Sequence, residues 1–474
     1  MTAIRLRFYS LLALLLTLAL PGRATVPPAP DPLDGLWKGP LKLPGGQLDV
    51  TFRLVKLSSG DYFATLDVPL QRVNNLAVTV TTHADTVVFV SAEANCRFTG
   101  RLLPDGKQLQ GAWQQPGFEV PLTLTRTVPQ QAARPRLTPP YREENVTFSN
   151  AKAGVQLAGT LTVPAGPGPF PAVALLSDVG AQDRNGTVND FAPIGRLADF
   201  LTRRGIAVLR FDDRGTGQSG GDAQATLADQ LGDAQAALAF LRARPEIVAK
   251  QVGLVGHGEG GNVALLAAAQ PTPPAFVVGL APYGLPGGDI AMQQQEATLR
   301  SLQLAPAQLD IVIKRQKAII DAIRQTINRS QAQAIVANIL KQNNPVLDNA
   351  AVQARAAEMT SPPYRYFLGF DPAENLASVT CPVLLLYGSA DTVINPDNNL
   401  SALVKGLKAN KSVTARKLPG VNHLFQPAPD QWPIVGGQPQ PNFSPAAAEA
   451  VRAWLATQAP PAPAPAGSPP TSAR

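Results

Sequence analysis

The rhythm of hydrophobic and polar positions along this chain changes sharply near residue 130. Over residues 33–127, short Val-, Thr- and Phe-rich runs alternate with turn sequences such as Pro44-Gly45-Gly46, Ser58-Ser59-Gly60-Asp61 and Pro104-Asp105-Gly106. Short β-prone runs at this spacing predict an all-β unit, a small sandwich or half-barrel. Its ionisable residues are not clustered, and His83 reads as an ordinary half-exposed strand residue.

Residues 145–458 behave differently. Ala172–Leu176, Ile206–Phe211, Val252–Val255, Phe276–Leu280 and Val383–Tyr387 are short, continuous apolar runs of the kind found in parallel strands buried on both faces. Amphipathic, helix-length stretches separate them, including Ile194–Arg204 and Ala228–Arg242. This alternation predicts a doubly wound α/β sheet. From about 285 to 375 it lapses into Ala- and Gln-rich helical segments (Met292–Leu302, Ala307–Ile327, Gln331–Leu340). A helical insertion there is expected to form a cap over the carboxyl edge of the sheet, where such folds bind ligands, or else a structural extension.

Composition adds joints and a compartment. The chain has 474 residues and 46 prolines. The prolines gather in a linker, residues 128–144, and in a Pro/Ala tail, residues 459–474, expected to be disordered. Residues 1–24 read as a signal peptide: Arg5 and Arg7 precede the short apolar run Leu11–Leu20, and Gly22 and Ala24 flank a cleavage site. A secreted or periplasmic protein with no stable membrane anchor after cleavage is expected. Losing Arg5, Arg7 and Arg23 lowers the formal charge of +7 by three, and the remaining basic residues form no run that could track a phosphate backbone. Nucleic-acid binding is therefore not expected. Three widely separated histidines and two lone cysteines match no zinc-ribbon, zincin or haem-attachment spacing, so no metal or cofactor is expected.

Two glycine-rich segments carry candidate chemistry. Gly256-His257-Gly258-Glu259-Gly260-Gly261 follows a strand and opens a helix, the context of a dinucleotide fingerprint. The acid that should hold the ribose about 20 residues later is missing, since Ala275 to Gly288 contains none. Gly217-Gln218-Ser219-Gly220-Gly221 matches Gly-x-Ser-x-Gly. Ser219, however, lies several residues past its strand, whereas a nucleophile elbow places the serine in the sharp strand-to-helix turn. It reads as part of a structural turn.

Taken together with Gln182-Asp183-Arg184, Asp212-Asp213-Arg214-Gly215, Tyr364-Arg365-Tyr366-Phe367, Asp391 after Tyr387-Gly388, and Gly420-Val421-Asn422-His423, residues 145–458 resemble α/β-hydrolases. In particular they are similar to secreted or periplasmic bacterial esterases of the EstD-like, serine-aminopeptidase-related group. The resemblance implies an elbow Gly-His-Ser-Glu-Gly-Gly, whose serine position here is Gly258. It implies that Asp391 orients His423, and that the oxyanion hole is built from the backbone N–H groups of Glu259 and Val179. The family's glycine after Ser177 is Asp178, which would oppose oxyanion stabilisation if it pointed inward and would be harmless if it pointed outward.

What the resemblance implies for function is an ester hydrolase acting on a small-molecule ester or acyl ligand, impaired by the loss of its nucleophile. Three outcomes follow: a ligand-binding or scaffolding pseudoenzyme, water activation by the His423–Asp391 dyad, or recruitment of Ser177 or Ser219. Tyr364, Tyr366 and Phe367 are the candidate substrate-binding residues, and Arg365 could meet a carboxylate. A Gly258→Ser revertant is expected to restore hydrolysis if the rest of the site is intact.

Overall fold

A computed structural model describes residues 33–43, 46–71, 73–127, 140–189, 191–301, 306–343, 348–435 and 438–458. The expected signal peptide, most of the expected linker and the expected tail lie outside the described residues.

The amino-terminal unit is a closed barrel of eight antiparallel strands, each hydrogen-bonded to the next and the last to the first. The strands are β1 (Gly35–Leu43), β2 (Gly46–Lys56), β3 (Tyr62–Val68), β4 (Val73–His83), β5 (Thr86–Ser91), β6 (Cys96–Leu102), β7 (Gln108–Gln115) and β8 (Phe118–Thr127). The expected sandwich or half-barrel is thus corrected to full closure, because β1 pairs with β8 through Leu36–Lys38 and Thr125–Thr127. Closure removes the unpaired strand edges that an open sheet would expose. Trp37, Phe52, Phe89, Phe98 and Trp113 fill the interior, with Phe52 and Phe89 ring centroids 4.6 Å apart. His83 is exposed at the end of β4.

The second unit begins earlier than expected. Residues 141–144, assigned to the linker on proline density, open strand β9 (Tyr141–Asn150), which pairs antiparallel with β10 (Val155–Pro164). The strands β11 (Phe170–Leu176), β12 (Ala207–Phe211), β13 (Ile247–His257), β14 (Val277–Leu280), β15 (Val383–Gly388) and β16 (Val413–Leu418) complete an eight-stranded sheet. Its order is β16-β15-β14-β13-β11-β12-β10-β9, with every neighbouring pair from β12 to β16 parallel. The five expected strands are all present. The sequence reading missed β9 and β16, whose alternating or charged residues belong to the sheet's half-exposed margins, and β10, which is buried although Gly159 and two threonines interrupt its apolar run.

Helices α1 (Pro193–Thr202), α2 (Leu227–Arg242) and α3 (Glu259–Ala268) follow β11, β12 and β13. Between β14 and β15 the described residues form six helices: α4 (Gly287–Ser301), α5 (Pro306–Gln325), α6 (Arg329–Asn343), α7 (Asn349–Met359), α8 (Pro362–Gly369) and the short α9 (Ala373–Leu376). This insertion buries a small core of its own, including Ile319, Ile320, Ile323, Val336 and Leu368.

The barrel docks on the eight-stranded sheet through the turn between β2 and β3. Arg210 of β12, only 1% exposed, donates to the Ser58 carbonyl, the Ser58 hydroxyl and Asn185 Oδ1. Ser58 in turn donates to Glu143, and Arg196 of α1 pairs with Asp61 at 2.9 Å.

Candidate active site

The turn between β13 and α3 is built from close backbone approaches. A Cβ on Gly256 would strike the Gly260 carbonyl, and one on Gly260 would strike the Ser177 and Leu176 carbonyls. The glycines therefore let the turn pack against the end of β11, and no nucleotide need be invoked. Gly258 sits at the apex with φ +50°, a backbone strained for any other residue. Its N–H donates to the Leu280 carbonyl at 2.8 Å and its carbonyl accepts from Gly261.

Asp391 and His423 come together as the resemblance implies. Asp391 follows β15 with its side chain fully buried, and its Oδ1 accepts from the N–H groups of Val393 and Ile394, both at 2.8 Å. Its Oδ2 lies 2.8 Å from His423 Nδ1. His423 sits in the loop after β16, where Asn422 and Gln426 exchange side-chain and backbone hydrogen bonds around it.

Beyond the dyad the structure departs from expectation. His423 Nε2 does not face a vacant serine site; it meets Asp178 Oδ2 at 3.0 Å. Asp178 Oδ1 accepts from the Glu259 N–H, also at 3.0 Å. A Cβ on Gly258 would overlap that same Oδ1. Asp178 therefore points inward, held by a ring nitrogen and a backbone N–H in the space beside Gly258.

The electrostatics follow from this packing. Burial alone would raise the Asp178 carboxyl, but the neighbouring histidine rings and the Glu259 N–H reverse the effect and hold it below the usual range. Burial opposes charge on His423 as well, yet hydrogen bonds to Asp178 and Asp391 push it up to about 10. Burial pushes the His257 ring down against the pull of Asp178; its Nε2 is 2.8 Å from the His423 carbonyl. Glu259, buried beside Asp178, is pushed up to about 7.

The surrounding motifs are scaffolding. Asp212 grips Arg184 at 2.6 and 3.0 Å, and Arg214 is bidentate to Asp233 at 2.7 Å. Ser219 Oγ accepts from the Ala158 N–H and donates to the Asp212 carbonyl, so it belongs to the turn, as read from the sequence. Ser177 Oγ donates to Asp213 at 2.8–2.9 Å. Both hydroxyls are thus engaged elsewhere.

Of the remaining expected residues, Val179 has an exposed side chain, and its carbonyl accepts from Gln182. Phe367 meets Tyr283 edge-on at 5.5 Å, whereas Tyr364 packs on Phe367 and Tyr366 stacks on Phe370. Among the described residues Arg365 meets no carboxylate; it donates to the Thr326 and Ile327 carbonyls, bracing the insertion from within. Sequence reasoning missed Tyr283. It is 4% exposed, and burial together with the neighbouring Glu259 and Asp178 carboxylates pushes its hydroxyl pKa well up. No motif marks it; only its position just after β14 does.

A mostly parallel eight-stranded sheet, a strand–turn–helix at Gly258, an acid after β15 and a histidine after β16 define an α/β-hydrolase. The chain belongs to the serine aminopeptidase S33 family, whose family model matches residues 185–426, just over half of the chain. It is similar to esterase EstD of Thermotoga maritima, 25% identical over 289 residues and covering 60% of each chain. It is also similar to the uncharacterized protein PA2218 of Pseudomonas aeruginosa, 29% identical over 137 residues, 28% of this chain and 35% of that one. The chain thus spans about 60% and about a third of the lengths of these relatives. Among solved structures, the Pyrococcus furiosus esterase Pf2001 superposes with a TM-score of 0.40 at 18% identity, over 60% of this chain and 84% of that one. PA2218 superposes with a TM-score of 0.41 at 20% identity, over 63% of this chain and 93% of that one.

Proposed function

We propose that this chain is an α/β-hydrolase of ester-hydrolase lineage whose serine chemistry has been lost, with Gly258 at the nucleophile position. The observation that carries this reading is Asp178, whose carboxylate lies in the volume a serine Cβ would need and on the Glu259 N–H that would receive an oxyanion. Acyl transfer needs a nucleophile and an empty donor for the developing charge, and Asp178 stands in for both with a full negative charge. Water activation by His423 is also disfavoured, since Nε2 is engaged by Asp178 and not by a water aimed at substrate.

On this reading, the helices from α4 to α8 act as a cap over the carboxyl edge of the sheet, and Phe367 with Tyr283 lines the space for a small-molecule ester or acyl ligand. Secretion or periplasmic location rests on residues 1–24, and a mature amino terminus at Thr25 would support it.

The test compares the native chain with the double variant Asp178→Gly/Gly258→Ser on p-nitrophenyl acetate. The native chain should be inert and the double variant active. Native turnover that vanishes in His423→Ala would overturn the reading in favour of the water mechanism.

A further inference from the structure

We propose that Asp178, His257 and His423 form a binding site for a divalent transition-metal ion of the zinc class. One carboxylate oxygen of Asp178 and one ring nitrogen from each histidine all lie within 4.8 Å of one another. The pair Asp178 Oδ2 and His423 Nε2, 3.0 Å apart, already has the spacing of two ligands on one metal with bonds of about 2.0–2.1 Å. The widest pair needs to close by at most about 1.5 Å to reach a tetrahedral edge. Gly258 adds no side chain to the space among them.

The donors are braced as metal ligands are. Asp391 takes the Nδ1 side of His423, the carboxylate–histidine arrangement that fixes the tautomer and turns the Nε2 lone pair toward a metal. The His257 ring is held against the His423 backbone by the hydrogen bond from its Nε2 position to the His423 carbonyl. Asp178 and Asp391 place two carboxylates around His423, and a dication that displaces the Nε2 proton would neutralise both in a region where buried charge needs compensation.

Donor chemistry selects the ion. Two imidazoles and one carboxylate suit zinc, cobalt or nickel, whereas magnesium and calcium prefer oxygen ligands. Three protein ligands leave a fourth position to water, the composition of catalytic zinc sites and not of closed structural ones. The inference rests on the reading of Gly258 as a vacated position, because a serine side chain there would displace Asp178.

The test uses the full mature chain, dialysed against EDTA and titrated with Co²⁺ alone, then with Zn²⁺. The expected result is one equivalent of Co²⁺ with the visible ligand-field absorption of a four- or five-coordinate site, displaced by one equivalent of Zn²⁺. His257→Gln and the isosteric Asp178→Asn should each weaken binding by at least about 100-fold, and Asp391→Asn by about 10-fold. His83→Gln should bind as the native chain does. No stoichiometric Co²⁺ spectrum in the folded native chain would overturn the proposal, as would a spectrum that survives both His257→Gln and Asp178→Asn. Esterase activity in the double variant is a separate readout, so failure to bind metal leaves the reading of Gly258 standing.

Discussion

Asp178 Oδ1 occupies the place where a side chain on Gly258 would begin. The two residues are 80 positions apart in sequence and compete for one space, so a side chain on Gly258 requires the Asp178 carboxylate to swing away. Gly258→Ser alone should therefore not revive hydrolysis, because the intact site on which that expectation depends is filled by Asp178. The serine must expel the Asp178 carboxylate from His423 and Glu259, at a cost of about 2 kcal/mol or more. Asp178→Gly alone should be inactive for want of a nucleophile. Only the double variant should turn over an activated ester, by at least about a thousand-fold over the native chain. Equal activity in the single Gly258→Ser variant would show that Asp178 is not the obstacle.

Tyr283 offers a test of the site's electrostatics. Its buried hydroxyl helps hold the Glu259 carboxyl down against burial. Tyr283→Phe should push Glu259 above its value of about 7, read by NMR titration of the side-chain carboxyl. An unchanged titration would show that the hydroxyl does not reach Glu259.

Asp213 predicts a pH dependence. Burial raises its carboxyl from 3.8 to about 7, despite the Gln182 N–H and Ser177 hydroxyl that favour the charged form. A folded-state value above the unfolded one means the native state binds the proton more tightly. The stabilisation is present below about pH 4 and lost as pH rises through about 7. Asp213→Asn, which keeps the shape and cannot ionise, should gain about 2 kcal/mol relative to the native chain between pH 5 and pH 8. A gap that stays constant across denaturation curves at the two pH values would contradict this assignment.

Arg210 is expected to couple the two units. Arg210→Ala leaves the Ser58 carbonyl and Asn185 without their buried donor and should cost about 3 kcal/mol. Calorimetry should then resolve separate melting of barrel and hydrolase unit where the native chain melts in one step. A single, merely lowered transition would assign the coupling to other contacts.

The boundary between what was legible in the sequence and what was not runs through particular residues. The five apolar strands, the insertion and the Asp391–His423 pair could be read because burial on both faces enforces continuous apolar runs, and because motif order follows chain order. The turn role of Ser219 could be read for the same reason, since its distance from the strand end is a local property. β9 was lost to the linker because proline density marks a joint without fixing where it ends. Barrel closure was invisible because it depends on the first and last strands meeting.

The centre of the site belongs to tertiary structure alone. The resemblance implied that Gly258 stands at a nucleophile position and that Asp178 breaks a pattern, but not that the two residues meet in space. Sequence reading likewise counted three histidines too far apart for any metal motif. Folding brings two of them together with Asp178, because β11, β13 and β16 deliver their carboxyl ends to one edge of one sheet. Spacing along a chain determines local geometry; which loops share an edge is decided by strand order, and no local pattern encodes that.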